Sequence, residues 1–353
     1  MKFIITSFIL FILFAPRIIA LDLFSLGQSA YERRAYEKAF GIWEPIAVKG
    51  DVDAQASLAI MYEEGKGVEK DSSKAFYWWK KAAEQGDIDA QNMLGIKYDT
   101  GKGVERDSSK AFYWFKEAAD QGSIDAKFGL GLFFEKGKGV ERDSSKAFFW
   151  IKEAAEQGYA RAQYKLGSMY ETGNGVERDK AKAIYWYKKA AECGNADAQS
   201  TLAMIFGIGD GVAKDYTKAF YFLEKAAKQG HVDSQYNLAL MYNAGRGVRK
   251  DLAKAYFWYK EAADHGNANA QYTQAGIFSV GIEAEEGLEI RKNYVEAYMW
   301  GILAIKGGSI KSYDLLIFLK EKMSQSQISE AQHLARLWEP KKSLDRIDLT
   351  CPS

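Results

Sequence analysis

From residue 50 onward, the apolar positions of this chain fall into a pattern that repeats every 36 residues. In its first occurrence Ala54, Leu58, Met61 and Tyr62 recur at helical spacing over about 52–63, a one-sided stripe that predicts a helix, here helix A. Gly65 is placed to end that helix in the left-handed region, Gly67 to allow a tight return, and Val68 to plug the turn. Asp71 stands where a carboxylate caps the free N–H groups of a second helix, helix B, running from Ser72 to about Gln85. Small residues Ala75, Ala82 and Ala83 face Ala59, or its equivalents Gly95, Gly131 and Gly167, so the paired backbones approach closely. The bulky Phe76, Tyr77, Trp78 and Trp79 are expected to fill the gaps between hairpins. Glycines at 50, 86, 122, 158, 194, 230 and 266, and again at 65, 101, 137, 173, 209, 245 and 281, hold the period without a slip. Six G-x-G-V turns end at Val68, Val104, Val140, Val176, Val212 and Val248, and Asp107, Asp143, Asp179, Asp215 and Asp251 follow in the register of Asp71. Such a hairpin cannot bury both of its faces alone and must stack on neighbours, which predicts an all-α array.

Both ends depart from the pattern. Residues 1–20 begin with Met1 and Lys2, continue with an almost purely apolar run from Phe3 to Phe14 and reach a small residue at Ala20. Twelve residues are too few to cross a hydrocarbon core, which needs about 20, so this stretch reads as a secretory signal cut before Leu21, with an uncleaved amphiphilic anchor as the alternative. Residues 21–50 read as a degenerate N-terminal capping hairpin: Lys38, Ala39, Phe40, Trp43, Ala47 and Gly50 keep the helix B register, but no G-x-G-V turn precedes them. Residues 50–308 make seven repeats. In the last, Ala297, Trp300, Ala304 and Gly308 fit only after six extra residues between Gly281 and Tyr294. Residues 309–353 read as C-terminal capping helices and a tail: Ile310 to Met323 as one more helix A, then Gln325 to Leu337 opened by a Ser324/Gln327 capping box.

The string GDVDAQASLAIMYEEGKGVEKDSSKAFYWWKKAAEQG, Gly50 to Gly86, resembles the Sel1-like repeat, the 36-residue relative of the tetratricopeptide repeat (TPR). The resemblance covers Gly50 to about Gly308. It implies an all-α fold, a right-handed α/α solenoid of stacked helix-turn-helix repeats in a TPR-like superhelix. It also implies a non-enzymatic scaffold, without cofactor, that binds a protein or peptide on a concave face lined by helix A. Exported bacterial members of the family point to host-cell interaction and entry, a virulence-associated role, in the periplasm or outside the cell. The alternative is a periplasmic adaptor for envelope or polysaccharide enzymes. Some secreted relatives carry a cysteine pair in every repeat and are linked to binding or hydrolysing penicillin-like compounds. This chain lacks those pairs, which leaves that activity a distant alternative.

Composition narrows the chemistry. With 48 Lys+Arg against 47 Asp+Glu there is no bulk positive field for a nucleic acid, and none is expected as a partner. No stretch after the signal approaches eighteen uninterrupted apolar residues, so no transmembrane segment is expected in the mature chain. The G-x-G-V turns join helices six times over, unlike a phosphate loop, which follows a strand and occurs once. The acids Asp51, Asp53, Asp87, Asp89 and Asp233 lack calcium-loop spacing and read as helix A starts. His231, His265 and His333 have no second ligand nearby in sequence, so no metal site is expected, and no nucleophile–base pair is apparent. Cys193, in the register of a glutamine, and Cys351, near the end, are expected to be separate free thiols; a bond between them is the other option.

A ligand surface would be written where repeats differ. Position 57 and its equivalents read Ser57, Met93, Gly129, Lys165, Thr201, Asn237 and Thr273, and position 60 reads Ile60, Ile96, Leu132, Ser168, Met204 and Leu240. Position 56 gives Ala56, Asn92, Phe128, Tyr164, Ser200, Tyr236 and Tyr272. Met93, Phe128, Tyr164, Lys165, Tyr236, Asn237 and Tyr272 are the candidate contacts for a protein partner. The competing reading is that the aromatics only pack between repeats and that the rest is drift on a solvated face.

Overall fold

The computed structural model describes residues 23–283 and 289–341, so the signal-like segment, the tip of the acidic loop and Cys351 lie outside the described residues. Residues 23–32 are helical (α1). Helices of 13 residues follow: α2 (Tyr36–Val48), α3 (Val52–Glu64), α4 (Ser72–Glu84), α5 (Ile88–Thr100), α6 (Ser108–Asp120), α7 (Ile124–Lys136), α8 (Ser144–Glu156), α9 (Ala160–Thr172), α10 (Lys180–Glu192), α11 (Ala196–Ile208), α12 (Tyr216–Lys228), α13 (Val232–Ala244), α14 (Leu252–Asp264), α15 (Ala268–Val280) and α16 (Tyr294–Lys306). From α3 on, odd helices are helix A and even ones helix B. The fold is an all-α TPR-like solenoid. Its described residues form two compact units, one reaching Gln157 with Asn174–Glu177 added, the other made of Gly158–Gly173 and the chain from Arg178. In the first, Leu94, Tyr98, Phe115, Leu130 and Phe133 pack in one core with the helix B alanines. In the second, Tyr298, Trp300, Leu303, Leu319 and Ala331 do the same near the C-terminal end.

Local chemistry explains the element borders. Asp71 and its five equivalents sit in extended backbone and accept from backbone N–H groups two or three residues on, as does Asn293 ahead of α16. Asp51 and Asp87 cap α3 and α5, as expected of the G-D-x-D acids. Helix A ends at Gly65, Gly101, Gly137, Gly173, Gly209 and Gly245, all left-handed.

The capping carboxylates of Asp107, Asp143, Asp179 and Asp215 are held below their ordinary value of 3.8, first by the backbone N–H of the lysine three residues on. Asp251 is lowered first by the Lys254 side chain. A lowered folded-state value means that the folded chain binds fewer protons, so this stabilisation is present above 3.8 and is lost as pH falls through the folded values. The melting temperature should therefore drop between about pH 5 and pH 2. A chain with these five aspartates changed to asparagine, which caps without titrating, should show a flatter acid limb by circular dichroism.

The buried glutamine of the D-A-Q segment joins three helices at once. Gln55, Gln91, Gln199, Gln235 and Gln271 each donate to an alanine carbonyl at the end of the preceding helix B, at 2.9–3.3 Å. Gln55, Gln91 and Gln199 also accept from Gln85, Gln121 and Gln229, which follow their own helix B, at 2.7–2.8 Å. Where His265 replaces that second glutamine, its ring turns to the Glu261 carbonyl and the Gln235 side-chain oxygen is left buried without a partner.

Cys193 takes the same register, with Sγ 3.5 Å from the Gln163 side-chain oxygen, and it is disulfide-bonded. This corrects the expectation of free thiols: no free cysteine occurs among the described residues. Thiol titration of the denatured, unreduced chain should find no free thiol, and reduction should release two.

At the C-terminal end, in the segment that carries the six extra residues, Ile282–Glu283 (β1) pairs antiparallel with Glu289–Ile290 (β2). The expected last helix A is shorter at both ends, α17 (Ser312–Lys320), and Lys311 at its start provides no side-chain cap. The terminal α18 (Gln325–Leu337) opens with the expected capping box.

Candidate protein-interaction site

Helix A buries most of its circumference. In α3, Ala54, Gln55, Leu58, Ala59, Met61 and Tyr62 are all buried, because the helix packs on the helix B on each side of it. Position 60 lies about 200° around the helix from Leu58 and is turned to solvent. Ile60, Ile96, Met204 and Leu240 are exposed there, with Leu132 and Ser168 half-buried. An aliphatic side chain held in water at a fixed register does nothing for stacking.

In the second unit a groove of about 350 Å³ opens along this row. Thr201, Met204 and Ile208 of α11 form one wall, Asn237 and Leu240 of α13 the other, and Tyr216, Ala219 and Leu223 of α12 line it from below. Leu223 stands where Trp79, Phe115, Tyr187 and Tyr259 place a ring in other repeats, which leaves the floor low. Gly207 stands where Glu63, Asp99, Glu135 and Glu171 stand, and a Cβ there would meet nothing closer than Ala219 at 3.8 Å. Met204 and Ile208 are 61% and 65% exposed, so the groove is rimmed by unsatisfied apolar surface. At one end the Lys214 ammonium lies 4.7 Å from the Tyr216 ring centroid and the Arg246 guanidinium 5.9 Å from it. The hydrogen bond from Lys214 holds the Tyr216 phenol below its usual range.

Comparison with known proteins places this architecture. The Sel1 repeat matches seven times, at residues 52–87, 88–123, 124–159, 160–195, 196–231, 232–267 and 275–309. The chain belongs to the Sel1 repeat family. A crystal structure of a Sel1 repeat protein from Oxalobacter formigenes is similar over 86% of this chain and 86% of its own, with 31% identity and a TM-score of 0.67. A protective antigen present in uropathogenic Escherichia coli strains, which displays the same repeat fold, is 27% identical over 92% of this chain and 85% of its own, with a TM-score of 0.48. No curated protein matches the chain. No helix among the described residues is long and apolar enough to cross a membrane.

Within this Sel1 repeat protein, the seven candidate contacts are dispersed. Asn237 is exposed and lines the groove. Phe128 is buried, a correction to its reading as a contact. The reason is general to position 56, which points at the ring position of its own hairpin: Tyr164 lies 5.5 Å from Tyr187 and Tyr236 5.8 Å from Tyr259, centroid to centroid. Met93 is partly buried against the core of the first unit, and Lys165 and Tyr272 are half-buried. Tyr164 and Tyr236 thus pack within their own hairpins rather than between repeats, and a binding test on Tyr164 would be confounded by stability.

A second Sel1 repeat surface was missed. Tyr77, Tyr113, Phe149, Tyr185, Tyr221 and Phe257 do not fill gaps between hairpins but stand 49–54% exposed on helix B. Each meets the next residue, Trp78, Trp114, Trp150, Trp186, Phe222 or Trp258, edge to face at 5.0–5.2 Å. The signal was available: four consecutive helical residues sweep about 300°, so Phe76 to Trp79 cannot all face neighbouring helices.

Proposed function

We propose that this chain is an exported, non-catalytic Sel1 repeat scaffold that binds a protein or peptide partner along the helix A row. The observation that carries this reading is the exposed aliphatic side chain at position 60 in four repeats, on a helix otherwise given over to packing. Export is supported by the signal-like pattern of residues 1–20 and by the disulfide at Cys193, since such bonds persist in oxidising compartments. Host-cell interaction is the finer form of the proposal and draws on the likeness to exported bacterial members of the family. The alternative, an adaptor for envelope or polysaccharide enzymes, is favoured by the exposed aromatics of helix B, a chemistry common at contact surfaces.

The test is to replace Ile96, Met204 and Leu240 by glutamate in the mature chain and compare partner capture from host lysate and from envelope extract. The expected result is a melting temperature within about 2 °C of the parent and loss of each specifically captured protein. Full capture by the folded variant contradicts the helix A reading. Loss of capture on changing Tyr113, Tyr185 and Tyr221 to serine instead moves the contact to helix B and supports the adaptor. Turnover of a β-lactam above background by the purified chain would end the non-catalytic reading.

A further inference from the structure

The repeats that flank the groove differ from the earlier ones in charge as well as in shape. At the register of Glu63, Asp99, Glu135 and Glu171, the α11 and α13 repeats carry Gly207 and Asn243. At the register of Glu69, Glu105, Glu141 and Glu177, on the turns that follow those helices, they carry Ala213 and Arg249. Both acids are therefore gone from both repeats that wall the groove. The acids that remain on the two turns are already engaged: Asp210 pairs with Lys180, Asp215 with Lys218 at 3.0 Å and Asp251 with Lys254 at 2.8 Å. Arg246, which lines the groove, and Lys214 beside it form no ion pair among the described residues. The result is an aliphatic trough, formed by Met204, Ile208 and Leu240, that ends at two cations held against one tyrosine ring with no carboxylate partner among the described residues.

We propose that this groove binds a protein segment that presents a bulky aliphatic side chain next to one or more carboxylates. The aliphatic group covers Met204, Ile208 and Leu240, and the carboxylate lies against Arg246 and Lys214, where a guanidinium offers paired N–H donors. Two features favour this occupant over a generic apolar one. Removal of four acids makes the groove selective by charge, because an acidic residue at position 63 or 69 would repel the ligand carboxylate. The opening that Gly207 leaves is kept clear in a helix where glycine otherwise costs stability. The proposal rests on the helix A reading and adds the chemistry of the partner to it.

The test selects phage-displayed random 12-residue peptides on the full mature chain and measures synthetic versions by fluorescence anisotropy. The selected sequences should combine Leu, Ile or Met with Asp or Glu. Binding should weaken about tenfold in Arg246→Ala and about as much when the peptide acids become amides. The double change Arg246→Glu and Lys214→Glu should favour peptides with lysine in place of the acid. Gly207→Glu, which restores the acid present in four other repeats and whose Cβ meets nothing closer than Ala219 at 3.8 Å, should abolish binding with the melting temperature unchanged. Selected peptides that lack acids, or that bind Arg246→Ala and Gly207→Glu as well as the parent, overturn the proposal. If those peptides are still lost on Met204→Glu, the helix A reading survives it. Binding that ignores Met204→Glu and Leu240→Glu as well overturns both. Equal, Arg246-dependent affinity for a single-stranded oligonucleotide without an aliphatic group also overturns it, in favour of plain polyanion binding.

Discussion

Changing Gly103 to alanine should destabilise the first unit by about 2–5 kcal/mol, whereas changing Gly86 to alanine should cost only about 1–2 kcal/mol. Both residues have positive φ, +78° at Gly103 and +93° at Gly86, so both substitutions carry the left-handed penalty of an L side chain. They differ in surroundings. A Cβ at Gly86 meets nothing within 4 Å, but one at Gly103 is driven into the Ser72 carbonyl at the start of the previous helix B. Gly67, Gly139 and Gly247 meet the backbone of Tyr36, Ser108 and Tyr216 in the same way. The second glycine of each G-x-G-V turn is therefore a docking contact between hairpins, not merely a tight return. Urea unfolding of the two variants, followed by tryptophan fluorescence, measures the difference. Equal losses would show that the turn does not touch its neighbour.

The second large effect is expected at a buried charge. Lys97 is 4% exposed and stands in the register of Met61, Phe133, Met169, Ile205, Met241 and Ile277, all buried. Its ammonium pairs with Glu63 of the preceding hairpin, which also accepts from the Trp79 indole N–H at 3.0 Å. Glu63→Gln leaves that ammonium buried without a counter-charge and should cost about 2–4 kcal/mol, less than a fully enclosed pair because Glu63 is partly open to water. Lys97→Met, which copies the other repeats, should be neutral or should stabilise by roughly 1–3 kcal/mol, because the desolvation cost of the pair disappears. The double variant should recover most of the loss. Denaturant midpoints of the three proteins decide the matter, and a Lys97→Met loss as large as that of Glu63→Gln would contradict it.

The fold was legible because the 36-residue period repeats the same local signals: the capping aspartate, the left-handed glycine and the small residues between paired helices. The capping box at Ser324 and the helix from Gln325 to Leu337 were readable for the same reason. The D-A-Q glutamine was not, because its hydrogen bonds join residues 8 and 30 positions away, a pairing with no local signature. The candidate site was half legible. Variation at positions 57 and 60 pointed to the helix face that opens at Asn237 and Leu240. Variation at position 56 pointed inward, since an aromatic there finds the ring of its own hairpin, as Tyr164 finds Tyr187. The groove itself depends on absences, Gly207 for an acid and Leu223 for a ring, which carry meaning only once the neighbours are placed.

Amide hydrogen exchange on the mature chain, with and without a saturating aliphatic–acidic peptide, tests the central claim most directly. Protection should concentrate at 200–208 and 237–246, with the helix B segments around Tyr185, Tyr221 and Phe257 unchanged. Protection confined to those helix B segments, or none at the groove, would contradict a scaffold that binds through helix A.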